Sequence, residues 1–169
     1  MKKFVIYAFI LSGLMVVTPG VDAAGSSDSG STVSSNTKPK GVESVNSFYS
    51  KAEKLIKAKD WEGAIVTLEK SLSLNSNHAD SENLMGYSYR KLGNYDRAFM
   101  HYARALELNP KHLGAHEYIG EAYLKVQNLK GAKKHLGRLG NLCAYDCPEY
   151  RDLRKKIISF EKAQKSKAG

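Results

Sequence analysis

Apolar residues are distributed along the chain in three ways. They run almost unbroken from Phe4 to Val17 and nearly vanish from Ala24 to about Val42. From there to Phe160 they return three or four positions apart. The first run follows Lys2-Lys3 and precedes Thr18-Pro19-Gly20 and Val21-Asp22-Ala23-Ala24. A positive start, a short apolar core, a helix-breaking pair and small residues make up a secretory signal peptide, expected over 1–23. Cleavage after Ala23 places Val21 and Ala23 where small side chains are required. The run is shorter than the roughly 18 to 20 residues that cross a bilayer; an uncleaved anchor is the alternative. No cysteine stands there to carry a lipid. The Gly, Ser and Thr stretch that follows has too little to bury to offset its ordering entropy, so 24–42 is expected to be a disordered linker.

The third stretch repeats with a period of thirty-four. Asp60, Asn94 and Asn128 share one column, all good helix N-caps. Trp61, Tyr95 and Leu129 follow, then Ala64, Ala98 and Ala132, then Leu68, Tyr102 and Leu136. Upstream in each unit, Ala52, Gly86 and Gly120 are small, and Leu55, Tyr89 and Tyr123 are large. Leu74-Asn75 and Leu108-Asn109 recur, as do His78 and His112. In the clearest copy, Met85, Gly86 and Tyr89 lie at helical spacing up to Gly93, a residue suited to a left-handed C-cap. Asn94 then opens a second helix with Tyr95, Ala98, Tyr102 and Ala105 on one stripe, stopped by Asn109-Pro110. Each unit therefore predicts two antiparallel helices joined by a tight turn, an all-α chain. The small residues allow close approach, and the large ones fill the space beside them.

Past the third unit, Pro148 suits a first helical position, where its missing N–H costs nothing. Tyr150, Leu153, Ile157 and Phe160 form one apolar stripe, with Arg151, Lys155 and Lys162 on the other side. This predicts a capping helix over 147–164 that covers the last unit, with a fraying tail at 165–169.

The combination Gly86-x-x-Tyr89…Gly93-x-Tyr95-x-x-Ala98…Tyr102-x-x-Ala105…Pro110 resembles the tetratricopeptide (TPR) repeat pattern. The resemblance covers 43–146 as three repeats, 45–78, 79–112 and 113–146. It implies a right-handed superhelix of three helix-turn-helix repeats plus the C-terminal cap. Departures are Lys51-Ala52 for the usual Leu-Gly, Lys59 and Gln127 at the turn glycine, Glu82 for a large apolar residue, and no Pro after the third unit. The segment His78 to Ile158 is also similar to short exported bacterial TPR proteins, which bring no assigned activity.

That resemblance implies a concave groove lined by the first helix of each repeat. Its contact candidates are Tyr49 and Glu53 in unit one, Asn83, Tyr87, Arg90 and Lys91 in unit two, and Glu117, Glu121 and Lys125 in unit three. Tyr49 and Tyr87 offer rigid aromatic area, and Arg90 has the fork to hold a partner carboxylate. A solvated helix face is the alternative for each. The carboxylate clamp of some family members is not expected, because its positions hold Tyr49, Glu53, Leu84, Gly114 and Tyr118.

Charge adds a second reading. The chain carries 26 Lys+Arg against 17 Asp+Glu, and Lys125, Lys130, Lys133, Lys134, Arg138, Arg151, Arg154, Lys155, Lys156, Lys162 and Lys165 crowd its last third. Asp146, Glu149, Asp152 and Glu161 interrupt them, and screening over about 8 Å weakens long-range attraction. Cys143 and Cys147 lie four apart, compatible with a bridge that fixes the turn into the cap, with two free thiols, or with metal or redox chemistry. As a bridge, so small a loop contributes only about 2 kcal/mol. His112 and His116 share metal-ligand spacing, but the repeat register accounts for them and no metal is expected. No acid–base pair, nucleophile elbow or phosphate loop is present, so the chain reads as a non-enzyme without cofactor. The expected role is an adaptor or scaffold of the bacterial envelope, periplasmic if Gram-negative and otherwise secreted, holding a peptide or protein partner in the groove. The alternative is an electrostatic binder of an anionic surface or polymer, with weak membrane contact. Nucleic acid is not expected.

Overall fold

A computed structural model of the chain describes residues 43–168; the expected signal peptide and linker lie outside them. Seven α-helices follow in order among the described residues: α1 Val45–Lys57, α2 Trp61–Leu74, α3 Ala79–Lys91, α4 Tyr95–Leu108, α5 Leu113–Lys125, α6 Leu129–Cys143 and α7 Pro148–Ala168. Each helix packs on its successor, while α3 also reaches α1, α5 reaches α3, and α7 lies against both α5 and α6.

Both kinds of helix start carry a side-chain cap. Asp60, Asn94 and Asn128 accept from the backbone N–H three residues on, at 2.9, 3.2 and 2.8 Å. His78 and His112 do the same with Nδ1, each receiving a backbone N–H at 3.2 Å. The recurring histidines therefore close helix starts, satisfying one orphan N–H each. Their sequence column had not revealed that role.

The three intra-repeat turns share one conformation. Lys59, Gly93 and Gln127 occupy the left-handed region, with φ of 63°, 78° and 60°. Glycine takes this conformation freely, whereas a side chain there costs about 1–2 kcal/mol. Two of the family departures thus leave the turn intact and carry its strain.

Packing follows the small and large columns. Ala52, Ala64, Ala98, Ala105, Ala122 and Ala132 are wholly buried, as are Leu68, Tyr102, Leu139 and Leu153. A Cβ on Gly86 would stand 2.6 Å from the Tyr102 ring, and one on Gly120 would stand 2.5 Å from Leu153 of α7. Gly120 is the seat of the last helix. One apolar cluster runs from Ala52 through Tyr89 and Tyr102 to Ile119; a second joins Leu124, Ala132 and Leu139 to Leu153 and Ile157 of α7.

Polar residues replace apolar ones in one recurring slot between the helices of a repeat. Unit two holds Glu82 against His101 Nδ1 at 2.7 Å. In the same columns of unit three, His116 and His135 meet Nδ1 to Nδ1 at 3.0 Å. His116 Nε2 lies 3.0 Å from the Pro110 carbonyl. It must donate there, so its Nδ1 accepts from His135. Burial, first of all, lowers the pKa of both, that of His135 to about 4. The pair is held neutral.

Between α6 and α7, Ala144 and Tyr145 are both left-handed, at φ 49° and 66°. A disulfide joins Cys143 to Cys147 across this turn, Cα atoms 5.7 Å apart. The last helix differs from expectation. It continues to Ala168 instead of ending at 164, since no Gly or Pro precedes Gly169 and Lys165 and Lys167 face the negative end of the helix dipole.

Candidate functional site

Helices α3, α5 and α7 leave an open hollow of about 940 Å³ between them. α3 contributes Tyr87, Arg90 and Lys91, and α5 contributes Glu117, Tyr118, Glu121, Leu124 and Lys125. α7 supplies Asp152, Lys155, Lys156, Ser159 and Phe160, with Gln127 at one corner. The helical period explains the set: Glu117, Glu121 and Leu124 fall on one face of α5, and Asp152, Lys156 and Phe160 on one face of α7.

The floor is an ion cluster. Arg90 Nη1 lies 2.7 Å from Glu121, and its Nε donates to Tyr102 Oη at 3.2 Å. Lys156 of α7 closes on the Glu121 carboxylate and reaches Glu117 at 3.5 Å. Burial works to lower the Arg90 pKa, but Tyr102 and Glu121 outweigh it and the net direction is upward. For Glu121, burial pushes up while Arg90 and Lys156 pull down harder, leaving its carboxyl below the usual range. Glu117 goes the other way. Burial, then the neighbouring Glu121 charge, raises it to about 7 in spite of Lys156. Near neutrality one proton is therefore shared with the two carboxylates: while it is bound, two cations face one carboxylate charge, and the charges balance once it leaves.

Above the ions stand aromatic rings. Trp61 meets Tyr87 edge-on at 6.0 Å, and Tyr87 meets Tyr118 at 4.9 Å. The Arg90 guanidinium sits 5.0 Å from the Tyr87 ring and 5.5 Å from Tyr118, and Lys91 Nζ lies 5.5 and 5.4 Å from Trp61 and Tyr87. Burial lifts the Tyr118 hydroxyl to about 12, so it stays a neutral donor.

Of the sequence candidates, the hollow gathers Tyr87, Arg90, Lys91, Glu117, Glu121 and Lys125. Tyr49, Glu53 and Asn83 lie outside it. Tyr49 is half-buried edge-on to His78 at 5.5 Å, and Asn83 is buried. Arg90 requires correction as a free carboxylate holder: it is 8% exposed and already engaged by Glu121 and Tyr102. Glu117 is likewise buried against Lys156. Sequence reasoning missed the α7 wall, above all Lys156, because a cap was expected to cover an end and not to border the groove. The repeat register carried no signal for it, since thirty-four residues before Lys156 stands the wholly buried Ala122.

A second hollow of about 500 Å³ lies at the end of the array. Tyr145, Tyr150 and Ile158 stand there among Arg151, Arg154 and Lys155.

Comparison with known proteins gives the following. A family model described as "Anaphase-promoting complex, cyclosome, subunit 3" matches residues 57–139. The crystal structure of MamA is 23% identical with a TM-score of 0.55, covering 59% of this chain and 58% of that one; the chain thus spans under two thirds of MamA. The first TPR of Spaghetti (RPAP3) bound to an HSP90 peptide is 21% identical, TM-score 0.61, covering 73% and 98%. The Yersinia enterocolitica type III secretion chaperone SycD with a peptide of the translocator YopD is also 21% identical, TM-score 0.62, covering 76% and 98%. No curated protein matches the sequence.

Proposed function

We propose that this tetratricopeptide repeat protein is an adaptor that grips a peptide or partner protein in the hollow bounded by α3, α5 and α7. One observation carries the reading: an open groove of about 940 Å³ sets the Tyr87 and Tyr118 rings against an ion cluster whose Arg90, Glu117 and Glu121 are largely buried. Tyr87 and Tyr118 offer contact area with few rotors, and Arg90 behind them keeps both rings from turning away. Because the floor's charges are internally paired, ordering it costs nothing at the moment of binding. Similar folds seen with peptides bound support the same reading.

The setting we propose is the bacterial envelope, on the ground of the leader-like order of residues 1–23; the first helix begins at Val45. The Cys143–Cys147 disulfide suits an oxidising compartment. Sequencing the N-terminus of protein recovered from the envelope tests the export; a chain starting at Met1 in the cytosol would contradict it.

For the groove, Tyr87→Ala and Lys91→Ala are the informative variants, since Arg90→Ala would damage the fold. Cross-linking in the native envelope followed by mass spectrometry should lose its main partner in both variants while their helical circular dichroism is unchanged. Partner recovery equal to wild type would remove the groove from the account.

A further inference from the structure

The charges bordering the groove are not equally committed. Glu117 and Glu121 are consumed by Arg90 and Lys156. Lys91, Lys125 and Lys155 have no acidic partner among the described residues, and each is exposed. Against these three cations, of which Lys91 also rests on the Trp61 and Tyr87 rings, stands one uncommitted acid on the same lining, Asp152. Between them the surface is apolar: Tyr118 and Phe160 half-buried, with Leu124 beneath.

Resting on the groove reading above, we infer that the occupant is an acidic segment, an aromatic or branched apolar residue flanked by carboxylates, with its anchor on Tyr118, Leu124 and Phe160. Its carboxylates meet Lys91 on α3, Lys125 on α5 and Lys155 on α7. Three different helices supply the three cations, with Lys91 and Lys125 one repeat apart at the ends of α3 and α5 and Lys155 on α7. A basic segment meets three lysines and finds the floor's carboxylates already neutralised. A neutral one gains the anchor alone. Specificity of this kind arises as much from rejecting the wrong charge as from attracting the right one. The lysines are water-exposed, so each contributes modestly, and their sum is screened by salt. α7 is therefore part of the recognition surface as well as a cover for the last repeat.

Selecting a random peptide library on the purified protein tests this without knowing the natural partner. Enriched peptides should carry Asp or Glu on both sides of Phe, Tyr, Trp or Leu, and their affinity should fall with added salt. Selection on a Lys125→Glu, Lys155→Glu variant, both sites exposed and outside the core, should lose the acidic enrichment and weaken the wild-type binders by about tenfold or more. Enriched peptides that are neutral or basic yet depend on Tyr87 would overturn the charge inference and leave the groove reading standing. Acidic peptides that bind both Tyr87→Ala and Phe160→Ala as well as wild type, or the absence of any enriched peptide, would overturn both. A final arm uses vesicles of mixed phosphatidylglycerol and phosphatidylcholine. Capture by these that needs Lys125 and Lys155, with no acidic peptide competing, would assign the lysines to a lipid surface instead.

Discussion

Tyr49 and Glu53 at the first-repeat end of the concave side stand at positions equivalent to Asn83 and Tyr87 in unit two and to Glu117 and Glu121 in unit three, yet the ends are built differently. At the first end Tyr49 rests on His78, its hydroxyl raised to about 12 by burial and then by Glu53 and Asp80, and among the described residues no charged partner holds Glu53. At the far end the corresponding residues sink into a cluster of two carboxylates, Arg90 and Lys156. What separates them is the neighbour. α5 receives α7 against it, and α7 brings Lys156, Phe160 and Leu153. A repeat register fixes where a side chain starts; the next helix decides whether it meets water or an ion pair.

The largest effect that tests this contrast is at Arg90. Removing it leaves Glu121 buried with only Lys156 to answer it, and Arg90→Met should cost about 3 kcal/mol or more in denaturant unfolding. Glu53→Ala, the first-end control, should stay within about 0.5 kcal/mol. The double variant Arg90→Met, Glu121→Met should recover most of the loss, since two apolar side chains leave no uncompensated charge. A double variant as damaged as the sum of its parts would mean the cluster is not a unit.

Next is the seat of α7. Gly120→Val drives a branched side chain into Leu153, whose Cδ2 would already lie 2.5 Å from a Cβ there. Overpacking of this kind costs about 1–3 kcal/mol. It should also expose the groove wall, so proteolysis between α6 and α7 should quicken. The equivalent first-repeat position, Ala52, already bears a Cβ, and Ala52→Gly should leave that turn uncut. Equal protease resistance of Gly120→Val and wild type would remove α7's anchoring from the comparison.

Proton linkage distinguishes the two interiors by sign. His135 has a folded pKa near 4, below its unfolded value, because burial, then His116, opposes its charge. The unfolded chain therefore binds more protons between about pH 6.5 and 4, and this group's contribution is lost as pH falls through that window. Glu117 is raised to about 7. Here the folded chain holds the extra proton, and its contribution declines as pH rises from about 4.5 to 7. The two slopes oppose each other in the wild type. Glu117→Gln keeps the neutral form and should unmask a steeper loss of stability on acidification, by less than about 1.4 kcal/mol per pH unit for one proton. His135→Phe should unmask the opposite slope. Parallel profiles in all three proteins would sink both assignments.

Much of this architecture was legible before the structure, and the reasons are local. Asp60, Asn94 and Asn128 announce helix starts because a cap acts within three residues. Gly86 and Tyr102 announce a helix pair because the repeat sets them at complementary positions. The ion cluster was not legible: Arg90, Glu121 and Lys156 stand on three helices, and only the stacking of successive units makes them neighbours. The exchange of Glu82–His101 for His116–His135 between repeats left a trace, since both partners shift by thirty-four residues together. Glu82 was visible only as an exception to the family pattern, and His101 completes the explanation.

The smallest expected effect concerns the turns, where the exceptions carry strain and not function. Lys59 and Gln127 hold φ of 63° and 60°, and Gly93 does the same work at 78°. Glycine at either site removes a left-handed penalty of about 1–2 kcal/mol. It also enlarges the unfolded chain's freedom, which takes back about 0.5–1 kcal/mol. The balance is a stabilisation of about 0.5–1 kcal/mol for Lys59→Gly and for Gln127→Gly, read as a higher denaturant midpoint at constant slope. Gly93→Ala should lose a similar amount, even though nothing lies within 4 Å of the added Cβ. Since that site is sterically open, any loss there must come from backbone conformation alone. If Gly93→Ala costs nothing, the strain assigned to Lys59 and Gln127 disappears with it, and the three turns differ only in side chain.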